Sequence, residues 1–194
     1  MTSHQARHQA RPRAFTLVEL MLVLAIISVL AALAVFGVRR YLATSKTAEA
    51  KMSVGAIATH VSIQYERDRE PSELLCSTAT PVPLGMNQVQ GRKYQPSTAP
   101  GDDFMSGSPI AGWQCLGFSI TTPIHFQYHY QVGGGYLSQG LTGAPVLAGP
   151  KSFEAAARGD LDGDGATSLF TRSGKVLNEQ MVLSTQLFMD NEFE

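Results

Sequence analysis

Charge is scarce in this chain. Fifteen Lys and Arg stand against 16 Asp and Glu, so charged residues make up 16% of the 194 positions and the formal net charge is −1. No basic stripe stands out, which removes the electrostatic footprint of a nucleic-acid binder. Cysteine is scarcer: Cys76 and Cys115 are too few and too far apart for a zinc site of CxxC type. In a domain outside the cytoplasm a disulfide between them is the default, with two buried free thiols as the alternative. HExxH, a phosphate loop, a nucleophile elbow and a recognisable acid–base carboxylate pair are all missing, so no enzyme chemistry is legible.

What the sequence does have is one long apolar block. From Phe15 to Val38 the only charge is Glu19, and the block exceeds the roughly 20 residues that a helix needs to cross a bilayer. A carboxylate at mid-bilayer costs on the order of 2.5–3.5 kcal/mol, less near the end of a span, and still calls for a partner. Before the block, residues 1–14 hold Arg7, Arg11 and Arg13 and no acid. That resembles the n-region of an export signal, but the apolar run exceeds a 7–15-residue signal core and no small-residue cleavage site follows it. The block is therefore expected to stay in the mature protein. Arg39, Arg40, Lys46 and Lys51 follow it, which nearly balances the leader and leaves orientation open on charge alone.

The stretch "AFTLVELMLVLAIISVLAALAV" resembles the N-terminal signature of type IV prepilins and pseudopilins: a short basic leader, a small residue, Phe-Thr-Leu-x-Glu, then an apolar helix. Position 14 is Ala where that family has Gly, and Phe36 stands where many major pilins carry a kinking Pro. The resemblance implies cleavage by a prepilin peptidase between Ala14 and Phe15, and N-methylation of Phe15. It also implies an inner-membrane span with the C-terminal part in the periplasm, and then assembly with other pilin subunits by the pilus machinery. Glu19, one turn from the Phe15 amine, would then pair with the amine of a neighbouring subunit. The alternative is a Glu that snorkels to the headgroups.

Beyond Arg40, Ala43, Ala50, Val54, Ile57, Val61 and Tyr65 recur at helical spacing and form one apolar stripe, with Lys46, Glu49, His60, Gln64 and Arg67 off it. Pro71 ends the pattern. Residues 71–112 are rich in Pro, Gly, Ser and Thr and read as a long connecting loop. The runs "GWQCLGFSI" and "IHFQYHYQV" read as strands. In the second, Phe126, Tyr128, Tyr130 and Val132 form the apolar face and His125, Gln127, His129 and Gln131 the wet one. Residues 152–174 read as a hairpin; the closing twenty or so residues are either strand or irregular. The expected class is α+β: a long N-terminal helix, its first half membrane-spanning, packed on an antiparallel sheet. The expected divisions are 1–14 leader, 15–38 membrane and assembly helix, 39–70 periplasmic half of the helix, and 71–194 β-rich domain. "GWQCLGF" and "ARGDLDGDG" are similar to segments of myxobacterial-type pilins.

Asp160, Asp162 and Asp164 with Gly165 match positions 1, 3, 5 and 6 of an EF-hand loop. Position 12 is Thr171 instead of Glu and no flanking helix pair is visible. A Ca²⁺ site is one reading, and a solvated Asp-Gly hairpin turn is the favoured one. His125 and His129, on a strand, lie about 13 Å apart and do not chelate. The functional expectation is a type IV pilin or pilin-like subunit, not an enzyme and without a required cofactor. The alternatives are a type II secretion pseudopilin and a membrane-tethered periplasmic binding module.

Overall fold

The computed structural model describes residues 15–67, 75–147, 149–192 and 194. The chain divides into two units, Met1–Leu42 and Ala43–Glu194. Helix α1, Leu17–Arg67, runs through both. In the first unit its side chains are exposed without exception among the described residues, Leu17 at 73% and Phe36 at 67%. This is one helix long and apolar enough to cross a membrane. A surface of that kind is stable only against lipid or against other apolar helices.

The second unit is built on the remainder of α1 and five strands: β1 Gln127–Val132, β2 Ser152–Gly159, β3 Ser168–Leu177, β4 Gln180–Leu183 and β5 Phe188–Asp190. They form one antiparallel sheet of order β1-β2-β3-β4, with β5 also pairing with β3. A short helix α2, Gly112–Leu116, precedes β1. The class is therefore α+β and pilin-like, an α1 helix lying on an antiparallel sheet. Ala50, Val54, Ile57 and Val61 of α1 are buried with Tyr128, Tyr130, Phe153, Ala155, Ala157 and Phe170 of the inner sheet face. The helical spacing of the stripe and the alternation of β1 both put their apolar residues here.

Two glycines are where the sheet has no room for a side chain. A Cβ on Gly159 would stand 2.4 Å from the Phe126 ring, and one on Gly174 would stand 2.5 Å from the Phe153 ring. Each ring thus lies over the backbone of the next strand and closes the inner face at its edge.

Three expectations need correcting. First, "GWQC" does not extend as a strand: Gly112–Leu116 is a helical turn, its C-cap Gly117 left-handed at φ 62°. Trp113 and Leu116 fall one turn apart and both are buried, and Trp113 donates from Nε1 to Thr80 O at 2.7 Å. Second, Gln64, although off the apolar stripe, is buried, and its Nε2 donates to Cys115 O.

Third, the polar face of β1 is not wet. Gln127 and His129 are buried, and so is Glu154, which lies on the same face of β2 paired with Gln131. The residues between β1 and β2 cross this face, where Glu154 Oε1 accepts from Leu137 N–H at 2.7 Å and Oε2 accepts from the Ser138 hydroxyl. Gln127 Nε2 donates to Pro83 O at 2.8 Å. Buried polar groups usually persist because they find partners, as Glu154, Gln127 and His129 do here, whereas Gln131 Oε1 and Thr171 Oγ1 on the same face have none among the described residues.

The hairpin expected over 152–174 is present as β2–β3, and the closing segment contributes β4 and β5. The segment 75–112 carries little regular structure apart from two single 3₁₀ turns, Met86–Gln88 and Asp103–Met105. It does cover the free edge of β1: Val82 exchanges both backbone hydrogen bonds with Tyr128, and Ala79 N–H donates to Tyr130 O. A bare edge strand would be open to pairing with another chain. Pro71 lies outside the described residues.

Candidate functional site

The N-terminal segment is where sequence and structure concentrate the functional signal. Leu17 opens α1, so Thr16 is its N-cap and Glu19 the third helical residue. The two close a reciprocal capping box. Glu19 N–H donates to Thr16 Oγ1 at 3.2 Å, and Thr16 N–H donates back to Glu19 Oε2 at 3.0 Å. The Thr16 hydroxyl also donates to Oε2, at 2.9 Å. A helix start leaves four N–H groups unpaired, a serious cost without water, and this arrangement satisfies two of them. It occupies one carboxylate oxygen of Glu19 and leaves the other for a second partner. Thr16 was not among the expected functional residues, although the Thr-x-x-Glu spacing before an apolar run is a sequence-level sign of it. Phe15 is 84% exposed at the head of this turn. Ala14 lies outside the described residues.

Cys76 and Cys115 are joined in a disulfide, 39 residues apart in sequence. The bond fastens the segment after α1 to α2, and both neighbouring carbonyls are engaged: Tyr130 O–H donates to Cys76 O at 3.0 Å, and Gln64 reaches Cys115 O.

Asp160, Asp162 and Asp164 do come together, one oxygen of each lying within 4.8 Å of the others, in the β2–β3 turn. Their negative charge raises the pKa of the Glu194 side chain, Asp164 most of all. The carboxylates are already used within the turn. Asp160, itself buried, accepts from Gly163 N–H at 2.6 Å and from Gly165 N–H at 3.0 Å, while Asp162 and Asp164 accept from the N–H groups two residues on. Thr171 lies within β3, paired with Ala156.

His125 and His129 are held separately. His125 Nδ1 sits 2.7 Å from Glu49 Oε2, and its backbone N–H donates to Glu49 Oε1 at 3.0 Å. His129 Nε2 bonds Gln127 Oε1, and burial, helped by the nearby Arg158 cation, lowers its pKa to about 4. It is a neutral core histidine. Glu49, which also accepts from the Tyr128 phenol at 3.1 Å, carries no local sequence signal, because its partners are more than seventy residues away.

The lipid-ready helix, the capped Glu19 and the helix-on-sheet unit together define a pilin-like architecture. Comparison with known proteins agrees: the model of the prokaryotic N-terminal methylation motif matches residues 10–35. The chain is 33% identical over 117 residues to the type IV major pilin protein PilA of Myxococcus xanthus (strain DK1622), a match covering 57% of this chain and 51% of that one. The chain thus spans about half the length of the curated relative it matches. No solved structure matches it. The sequence carries the type IV prepilin methylation motif and is similar to a major pilin.

Proposed function

We infer that this chain is a type IV pilin-like structural subunit. Residues 1–14 serve as a leader removed by a prepilin peptidase between Ala14 and Phe15, and the new amine of Phe15 is methylated. Residues 15–38 hold the subunit in the inner membrane with residues 39–194 in the periplasm, and the pilus machinery then packs this helix into a filament core with other subunits. The carrying observation is the exposed apolar face of the first unit with a carboxylate at its head. Such a surface needs apolar neighbours, and a buried carboxylate needs a cation. The Phe15 amine of an adjacent subunit is the one this reading supplies, and the oxygen of Glu19 left over from the capping box is where it would bind. The β-rich unit would face outward, and the reading assigns it no catalysis and no required metal.

The test is co-expression with a prepilin peptidase followed by intact mass and N-terminal analysis. Loss of residues 1–14 with a methylated Phe15 is expected, faster for Ala14→Gly and blocked by a bulky residue at 14. A mature chain retaining Met1 would favour a tethered periplasmic module instead.

A further inference from the structure

One cavity of the second unit is lined by Lys and Arg side chains that make no ion pair among the described residues. It measures about 240 Å³ and is walled by Lys46 of α1, by Arg92 and Lys93 of the turn after the first 3₁₀ helix, by His125 just before β1, and by Val89 and Leu161. No carboxylate lines it. Among the described residues Lys46 and Lys93 make no ion pair, whereas Lys51, five residues on from Lys46, is paired with Glu192 at 2.5 Å. The nearby acids are already committed. Glu49 accepts from the His125 backbone and ring and from the Tyr128 phenol, the aspartates of the β2–β3 turn accept from their own backbone, and none of these carboxylates makes an ion pair with Lys46 or Lys93 among the described residues.

The wall is also fixed in place. Gly91 N–H donates to Asp160 O at 2.8 Å, and Arg92 Nη2 donates to Asn87 O at 2.7 Å. Glu49 holds the His125 ring through Nδ1. Two lysine ammonium groups and a guanidinium thus surround a space with room for a tetrahedral oxyanion and several waters. Three cations around one small cavity match a group bearing about two negative charges and several acceptor oxygens better than a single carboxylate, which one Arg or Lys already satisfies.

We propose that the Lys46–Arg92–Lys93–His125 cavity is a binding site for a phosphoryl group, supplied by free phosphate or by a phospholipid headgroup. Lys46 and Lys93 provide the charge, and Arg92, steadied by Asn87, provides the remaining donors. The site is independent of the leader and of Glu19, so it stands or falls apart from the assembly reading.

The test uses the full chain in zwitterionic detergent at low ionic strength, where these partly exposed charges are least screened. Inorganic phosphate is titrated calorimetrically, with chloride of equal ionic strength as the reference. Saturable binding of phosphate is expected, weakened by about tenfold in Lys46→Gln and in Lys93→Gln, as for loss of one charged hydrogen bond, and kept within about twofold in Lys93→Arg. Far-ultraviolet circular dichroism of each variant shows that the fold is kept. The titration is repeated in nanodiscs of phosphatidylcholine with and without phosphatidylglycerol. Weaker phosphate binding in the anionic discs assigns the site to the headgroup, and equal binding assigns it to free phosphate. Absence of saturable binding in detergent, or unchanged affinity in both glutamine variants, overturns the proposal.

Discussion

Thr16 and Glu19 are bonded in both directions across the first turn of α1, Thr16 N–H to Glu19 Oε2 at 3.0 Å and Glu19 N–H to Thr16 Oγ1 at 3.2 Å. The carboxylate thus has a partner within its own helix. The cap would survive the proposed cleavage after Ala14, because Thr16 keeps its amide whichever residue precedes Phe15.

Glu19→Ala removes a charge from the apolar segment, so membrane insertion is expected to be unimpaired or improved while incorporation into sheared filaments falls sharply. Glu19→Asp, one methylene shorter, is expected to be intermediate. Thr16→Val loses only the cap, about 1 kcal/mol, and is expected to lower incorporation less than Glu19→Ala. Membrane-fraction and filament levels of the four proteins, compared side by side, decide the matter. Equal incorporation of Glu19→Ala and the parent would remove Glu19 from assembly.

Closing a 39-residue separation with the Cys76–Cys115 bond stabilises the fold by about 4 kcal/mol in the chain-entropy model, often less in practice. The double variant Cys76→Ser with Cys115→Ser is expected to lose about 2–4 kcal/mol, read from urea unfolding. Protein from the periplasm is expected to show no alkylatable thiol until reduced. Two thiols alkylated in the folded, unreduced protein would contradict the bond.

Glu154 is 1% exposed, and desolvation raises its pKa despite the donors of Leu137 and Ser138. A raised carboxylate pKa means that the folded state holds a proton that the unfolded state has released. Stability from this group is present below the unfolded value, about 4.3, and is lost as pH rises through the folded value. Glu154→Gln keeps an acceptor for the Leu137 and Ser138 N–H groups but cannot ionise. Unfolding free energies measured from pH 4 to pH 8 are expected to decline more for the parent than for the variant, and parallel curves would refute this.

The Asp160 turn is expected to work without a cation. Asp160→Ala strands two N–H groups and is expected to cost about 1–3 kcal/mol, the same with calcium or with chelator. A melting temperature that rises by several degrees with calcium, and loses that rise in Asp162→Asn, would assign the turn to a metal instead.

Local chemistry was enough for much of this protein. An uninterrupted apolar run with one carboxylate announces a membrane-length helix, and the alternation of Phe126, Tyr128 and Tyr130 announces a strand with an apolar face. Each depends only on backbone periodicity, which neighbouring residues set between them. The disulfide was one of two open readings of the cysteines, and only the fold brings Cys76 to Cys115.

Other features depended on what lies across the core. Whether Trp113 and Leu116 belong to a strand or to a helical turn rests on a few residues, too short a stretch for periodicity to choose; the turn goes with the Gln64 and His60 contacts from α1 to the Cys115 and Leu116 carbonyls and with the Cys76 bond. Whether Gln127, His129 and Glu154 face water depended on a loop crossing the sheet, and the pattern of a strand cannot reveal what lies above it. Glu49 meets His125 across 76 residues, and Lys46 lines one cavity with Lys93. Sequence sets which groups are available, while the closing of the chain on itself decides which charges find partners within it and which are left facing out.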